Sequence, residues 1–388
     1  MSTIGIIGAG AMGTGIAQVA ATAGEEVVLF DSQKPAVEKA KANLDVTLKR
    51  LSEKGKISAD DARNIFSRIH FAAGLDEFKS CDLIIEAVIE DLEVKRSLFS
   101  ALEKIVSAES VLGTNTSSLS VTSIASACEK PGRVIGIHFF NPAPVMPLVE
   151  IIKGVTTEPD VEKRIKRKIE SWKKVAVLAK DTPGFIVNRV ARPFYGEAIR
   201  IYEEGIAEIW EIDEAMREGG FKMGPFELMD FIGNDVNYTV TETVWKQFFH
   251  DPRYNPSLTQ KRMVEANLLG KKTGRGYYNY DEKGQVNPKP LHHRPQILKS
   301  IIFDRILAML INEAADALYL GVATKEDLDL AMTKGVNYPK GLLKWADEIG
   351  LDKVLAEMDK LYSEYCEDRY RPAVLLRKLV AEQKKFYL

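Results

Sequence analysis

His138 and Glu150 are the two residues of this chain whose types and spacing most directly suggest chemistry. His138 closes an apolar run, Ile135-Gly-Ile-His138, and Glu150 is the one charge in a second run, Leu148-Val-Glu150-Ile-Ile. Between them stand Pro142, Pro144 and Pro147. Proline fixes its own φ and biases the preceding residue towards extended conformations, so residues 135–152 read as strand, rigid turn, strand. Such a turn brings the end of one strand back beside the next. A carboxylate among Leu148, Val149, Ile151 and Ile152 is costly to bury alone and needs a partner, for which His138 is the nearest candidate. A histidine oriented by a carboxylate is the layout of a general base. A core histidine satisfied by a structural glutamate is the alternative.

A base of this kind needs a scaffold, and the residues before it describe one. Residues 3–31 read as strand, glycine turn, helix, strand and acid: Thr3-Ile-Gly-Ile-Ile-Gly8-Ala-Gly10-Ala11-Met12-Gly13, an alanine-rich helix, then Glu26-Val-Val-Leu-Phe-Asp31. In that pattern Gly8 permits a tight turn, Gly10 lets backbone approach a pyrophosphate and Gly13 lets the helix pack closely. The helix start, with Ala11 and Met12, offers N–H groups to phosphate. Asp31 is set to accept from ribose hydroxyls and to repel a 2′-phosphate. A glycine-rich turn that binds nothing is the alternative. Residues 35–66 read as helical and basic, either a solvated face or a contact for a phosphorylated substrate. Apolar strands are expected at 82–89, 110–114, 133–139 and 174–179, with helices near 91–106, 119–127 and 160–172. The alternation predicts an α/β domain: a Rossmann-like, doubly wound, mainly parallel sheet. In open α/β sheets the ligand crevice lies at the carboxyl ends of strands, where Glu90, Asn115, Ser117 and His138 fall.

From Asp181-Thr-Pro-Gly184-Phe-Ile-Val-Asn188-Arg onward the pattern turns helical. Lys271-Lys-Thr-Gly274-Arg-Gly276-Tyr-Tyr is a glycine-rich loop, either a ligand contact or a surface turn. The helical segment then recurs 116 residues later: Asn188-Arg189, Glu197, Gly205, Asp213 and Gly219 match Asp304-Arg305, Glu313, Gly321, Asp329 and Gly335. Such spacing indicates a duplicated unit. The second copy carries Asp304 in place of Asn188 and reads as stopping short of any counterpart to the glycine loop. The expected division is a dinucleotide-binding domain at 1–183, an all-α domain at 184–281, a linker at 282–295 and a second helical copy at 296–388. His292 and His293 lie in the linker with no acid or cysteine at ligand spacing, so no metal site is expected.

The 388-residue chain is 45% hydrophobic and 28% charged with net charge −2, which argues against nucleic acid or an anionic membrane as the main partner. No run approaches the roughly 20 apolar residues of a membrane span. Three scattered cysteines suggest neither a disulfide framework nor a zinc site. The first strand begins at Thr3 or Ile4, leaving no room for a signal or transit peptide, so a cytoplasmic location is expected.

Together these motifs resemble the L-3-hydroxyacyl-CoA dehydrogenase family, to which 3-hydroxybutyryl-CoA dehydrogenases belong. The residues that carry the resemblance are Gly8-Ala-Gly10-Ala-Met-Gly13, Glu90…Lys95, Asn115-Thr-Ser117-Ser118, His138-Phe-Phe-Asn141-Pro, Leu148-Val-Glu150, Asp181-Thr-Pro-Gly-Phe-Ile-Val-Asn188-Arg and Gly224-Pro-Phe-Glu-Leu-Met-Asp230. It covers residues 3–280, and the second helical copy is similar to the dehydrogenase part of multifunctional fatty-acid oxidation proteins. The resemblance implies NAD as cofactor and reversible oxidation of an acyl-CoA 3-hydroxyl to the 3-ketoacyl-CoA. It implies that His138 accepts the hydroxyl proton, that Glu150 orients His138, and that Ser117 and Asn188 sit by the reacting oxygens. Asp31 would hold the adenosine ribose, Glu90, Lys95 and Asn115 would lie near the nicotinamide half, and Thr47 and Lys54 would meet coenzyme A. Single-copy members pair two chains through the helical unit, so the second copy is expected to replace that homodimer contact within one chain. Functional coupling to an enoyl-CoA hydratase is a further implication. Two other readings stand beside this one: a dehydrogenase of a non-CoA hydroxy or sugar acid on the same fold, and a non-catalytic NAD-binding or structural protein. Intact His138, Glu150, Ser117 and Asn188 argue against the last.

Overall fold

The computed structural model describes residues 3–284, 286 and 296–387. The chain divides into two units, one ending at Thr182 and the other beginning at Pro183. Most of the linker expected at 282–295, with His292 and His293, lies outside the described residues.

In the first unit the strands are β1 (Thr3–Ile7), β2 (Glu26–Phe30), β3 (Ile69–Phe71), β4 (Leu83–Glu86), β5 (Val111–Thr114), β6 (Val134–Phe139), β7 (Leu148–Lys153) and β8 (Val175–Lys180). They form one sheet in the order β3-β2-β1-β4-β5-β6-β7-β8. All neighbours are parallel except β6 and β7, which the proline turn folds back antiparallel. The helices are α1 (Ala11–Thr22), α2 (Lys34–Glu53), α3 (Ala59–Ser67), α4 (Leu92–Ile105), α5 (Val121–Ala125) and α6 (Pro159–Ser171). Strand alternation sends Ile4, Ile6, Leu83 and Ile85 into one buried cluster with Ile16 and Ala20 of α1 and Ile165 and Ile169 of α6. The basic stretch 35–66, expected to be helical, forms two helices, α2 and α3. The chain turns at Gly55, whose φ is +65°, and Ser58 and Asp61 form a reciprocal cap that starts α3. β3 was not expected from the sequence.

The second unit holds α7 (Val187–Val190), α8 (Arg192–Glu203), α9 (Ile209–Glu218), α10 (Pro225–Ile232), α11 (Asn234–Gln247) and α12 (Leu258–Glu265). After the linker come α13 (Gln296–Tyr319), α14 (Lys325–Gly335), α15 (Leu342–Ile349), α16 (Leu351–Tyr365) and α17 (Val374–Ala381). The two series correspond helix for helix, with α13 in the place of α7 and α8. Pro193 lacks the N–H a continuous helix requires, and the first series breaks just before it. Met309 occupies that position in α13, which runs unbroken for 24 residues.

The repeats meet through reciprocal buried ion pairs. Arg189 Nε donates to Glu313 at 2.7 Å, and Arg305 Nε donates to Glu197 at 2.6 Å. Tyr254 Oη donates to Glu313 at 2.6 Å, and Tyr370 Oη donates to Glu197 at 2.8 Å. Each residue thus bonds the repeat-mate of its own mate's partner, as in a two-fold contact.

One expectation about the second repeat is corrected. It keeps the end of the glycine loop in shortened form. In the first repeat Asp230 accepts from the amides of Tyr277 and Tyr278, and Tyr278 Oη donates to Asp213. In the second, Asp347 accepts from the amides of Phe386 and Tyr387, and Tyr387 Oη donates to Asp329. The chain between α17 and this pair is shorter than its counterpart, so a fixed offset misses it.

Candidate active site

The β6–β7 register sets His138 directly opposite Glu150. Residues opposite one another in an antiparallel pair project to the same face, so the two side chains meet. His138 Nδ1 lies 2.8 Å from Glu150 Oε2, and a carboxylate can only accept, so Nδ1 carries the proton. Glu150 is fully buried and His138 is 6% exposed. The ring of Phe140 packs on the imidazole with centroids 4.6 Å apart. The turn itself is pinned by Lys174, whose ammonium donates to the carbonyls of Ala143 and Met146 at 2.6 and 2.8 Å. Burial lowers the pKa of that ammonium.

The loop after β5 is shaped from two sides. On one side Glu90 Oε1 accepts from Thr116 Oγ1, from the hydroxyls of Ser117 and Ser118, and from their amides, at 2.6–3.2 Å. Burial would raise the pKa of Glu90, but the charge of Lys95 and these donors outweigh it and hold the carboxyl below its usual range. On the other side Asp181 accepts from Ser120 Oγ at 2.7 Å, Val121 N at 3.1 Å and Thr122 N at 2.7 Å, which anchors the start of α5. Asn115 Oδ1 accepts from the amide of Phe139 at 2.8 Å, tying this loop to the residue after His138.

Lys95 is 1% exposed, and its ammonium contacts Glu86 at 2.5 Å and Glu90 at 3.4 Å. Glu86, also fully buried, accepts in addition from Thr114 Oγ1 and Val88 N, both at 2.7 Å. Neither Glu86 nor Lys174 was singled out from the sequence. A lone acid in the apolar run Leu83-Ile-Ile-Glu86 was the same signal that marked Glu150.

At the glycine turn Gly8 has φ +106°, and a Cβ there would collide with the Ala87 carbonyl. A Cβ on Gly13 would collide with the carbonyl of Gly8, whereas one on Gly10 would meet nothing within 4 Å. The backbone at Gly10 is therefore open to an incoming group. Helix α1, which begins with Ala11 and Met12, has no side-chain cap and no acid in its first turn, so its N-terminal amides face outward for an anion. Asp31 stands at the end of β2, accepting from Ala9 N at 2.8 Å and Gln33 N at 2.9 Å, which leaves lone pairs on both oxygens for ribose hydroxyls. These features fit a dinucleotide.

Thr47 and Lys54 are exposed on and just past α2. The groove between α2 and α3 is lined by Asp45, Leu48, Lys49, Ser52, Arg63 and Phe66, among others, and includes neither. Asn188 lies in α7 of the second unit, where its carbonyl accepts from Arg192 Nε at 2.7 Å. Among the described residues no group of three or more His, Cys, Asp or Glu could hold a metal ion. No helix of the described residues is long and apolar enough to cross a membrane.

Residues 3–182 match the 3-hydroxyacyl-CoA dehydrogenase NAD-binding domain, and the C-terminal domain of that family matches residues 184–280 and again residues 301–386. The chain is 36% identical to a 3-hydroxyadipyl-CoA dehydrogenase of Escherichia coli K12, with 97% of each chain covered. It is 42% identical to a probable 3-hydroxybutyryl-CoA dehydrogenase of Deinococcus radiodurans, covering 71% of this chain and 99% of the other. A crystal structure of a 3-hydroxybutyryl-CoA dehydrogenase from Escherichia coli K12 superposes with a TM-score of 0.92 at 35% identity and 98% coverage of both chains. With an NAD-binding sheet domain, a buried His–Glu pair at a strand end and matches over both units, the chain belongs to the 3-hydroxyacyl-CoA dehydrogenase family, NAD-dependent oxidoreductases acting on a CH–OH group.

Proposed function

We propose that the chain interconverts (S)-3-hydroxyacyl-CoA and 3-ketoacyl-CoA thioesters, 3-hydroxybutyryl-CoA among them. The observation that carries this is the 2.8 Å His138–Glu150 pair at the carboxyl end of β6. In the oxidation His138 takes the 3-hydroxyl proton at Nε2, while Glu150 keeps the proton on Nδ1 and offsets the positive charge that develops on the ring. The hydride leaving C3 is taken up by the nicotinamide when NAD is bound. Ser117 and Asn188 orient the reacting oxygen. Glu90 and Asn115 shape the nicotinamide side, with Lys95 acting through Glu90. Thr47 and Lys54 meet the coenzyme A portion. The test is NADH formation from 3-hydroxyacyl-CoA thioesters of increasing chain length, with the free hydroxy acids alongside. Turnover of the free acids without the thioesters refutes the proposal.

We further infer that the second repeat occupies the place a partner chain takes in single-repeat relatives; the reciprocal Arg189–Glu313 and Arg305–Glu197 pairs support this. A 3-hydroxyacyl thioester is the product of adding water to an enoyl thioester, so an enoyl-CoA hydratase is the natural supplier of substrate. Cys81, Cys128 and Cys366 are all free, which suits a reducing, cytoplasmic setting.

A further inference from the structure

We infer that the second repeat positions Asn188 through Glu313 and Asp316, and so takes part in turnover as well as in the fold; this rests on the role given to Asn188 above. Helix α7 is four residues long, too short to hold itself, because one helical turn orders more backbone than its few hydrogen bonds repay. Its anchor is the residue after Asn188. Arg189 is 1% exposed, and its guanidinium lies over the Phe248 ring with 5.1 Å to the centroid. Nε donates to Glu313 at 2.7 Å and Nη2 donates to Asp316 at 2.9 Å, both on α13. Glu313 is fully buried and also receives Tyr254 Oη and, at 3.4 Å, Arg253. Burial pushes its pKa up, but Arg189 and Arg253 outweigh that and hold it below the usual range. A guanidinium keeps its charge under all ordinary conditions, so a buried one must stay with its carboxylates. The backbone that carries Asn188 is thereby fixed to the second repeat.

The repeat supplies its own control. Arg305, Glu197 and Tyr370 form the mate of Arg189, Glu313 and Tyr254, with nearly the same distances and depth. That mate stands beside Asp304. A purely structural role makes the two clusters equivalent, whereas a positioning role makes only the one beside Asn188 matter for turnover.

The experiment compares Glu313→Gln with Glu197→Gln in the full chain, reading kcat, KM for NAD and for 3-hydroxybutyryl-CoA, and the thermal midpoint. Asn188→Ala is run in parallel. Similar losses of midpoint are expected in the two glutamine variants. Kcat should fall about 10- to 100-fold in Glu313→Gln, the scale of a misplacement of about 1 Å, and stay near the unmodified value in Glu197→Gln, with KM for NAD unchanged in both. Asp316→Asn against Glu204→Gln is the milder pair should either glutamine variant fail to fold. Glu204 accepts from Arg305 at 2.9 Å, as Asp316 does from Arg189. If Asn188→Ala lowers kcat but the two members of a pair behave alike, the inference is overturned and the proposed reaction stands. If Asn188→Ala leaves kcat unchanged, the role of Asn188 falls and the inference with it.

Discussion

Glu150→Gln tests the dyad most directly. Glutamine keeps the size and an acceptor oxygen, so the ring keeps its orientation and only the charge is removed. With Nδ1 and Oε2 2.8 Å apart and Glu150 fully buried, the lost term is a charge-assisted hydrogen bond to the imidazolium. Such bonds contribute about 1.5–3 kcal/mol net. Coulomb attraction between charge centres about 4 Å apart, at an effective dielectric of about 20, sets an upper scale of about 4 kcal/mol. At about 1.4 kcal/mol per factor of ten, kcat should fall between about 10- and 1,000-fold. His138→Gln removes the base itself and should cost about 10²–10⁴-fold. The double variant should be little worse than His138→Gln, because a charge partner has nothing to act on once the base is gone. The assay is steady-state NADH formation from 3-hydroxybutyryl-CoA, with NADH binding followed by fluorescence. Kcat for Glu150→Gln within a factor of two of the unmodified enzyme refutes the reasoning, as do losses that add in the logarithm of the rate.

Other outcomes follow from the same structure. Asp31→Ala should weaken NAD binding and narrow the preference over NADP; equal efficiency with both cofactors in the unmodified enzyme would remove the basis for this. Lys95→Met leaves the fully buried Glu86 without its cation and should cost about 3–5 kcal/mol of stability, read by urea denaturation; an unchanged midpoint contradicts the ion-pair account. Deleting residues 296–388 takes Glu313 and Asp316 from Arg189 and should give an aggregate or a new dimer by light scattering; a soluble, active monomer argues against the second repeat as partner. Burial pushes Asp213 up to about 7 in spite of bonds from Tyr278 and the amides of Phe226 and Glu227. A carboxyl whose folded value exceeds its unfolded one contributes its full stability below about pH 4 and loses it as pH rises towards 7. Asp213→Asn should flatten that part of the stability curve, and an unaltered slope between those pH values refutes it.

What was legible in the sequence was whatever local physics dictates. The prolines forced the β6–β7 turn, a lone acid among aliphatics demanded a partner, and the glycine spacing marked the start of α1. The strand-end placement of Glu90, Asn115 and Ser117 followed from the alternation of elements. What escaped lay outside those local rules. β3 is three residues long and exists through its pairing with β2. Glu86 carried the Glu150 signal, but its partner Lys95 sits on a helix that begins six residues later, where no turn geometry points to it. The break between α7 and α8 turns on Pro193, a position where the two repeats differ and which shared residues therefore do not mark. Phe386 and Tyr387 escaped because a deletion shifts the offset just where the loop ends.

The reciprocal pairs of the second unit also bear on how the protein responds to dilution. A contact between two chains carries a concentration term, so it weakens as molecules become scarce. Here Arg189 and Glu313, and likewise Arg305 and Glu197, belong to one polypeptide, so their association has no such term. Each half of the contact is also encoded separately, so a change on one side is not mirrored on the other. That freedom is visible in Asp304, which stands where the first repeat keeps Asn188.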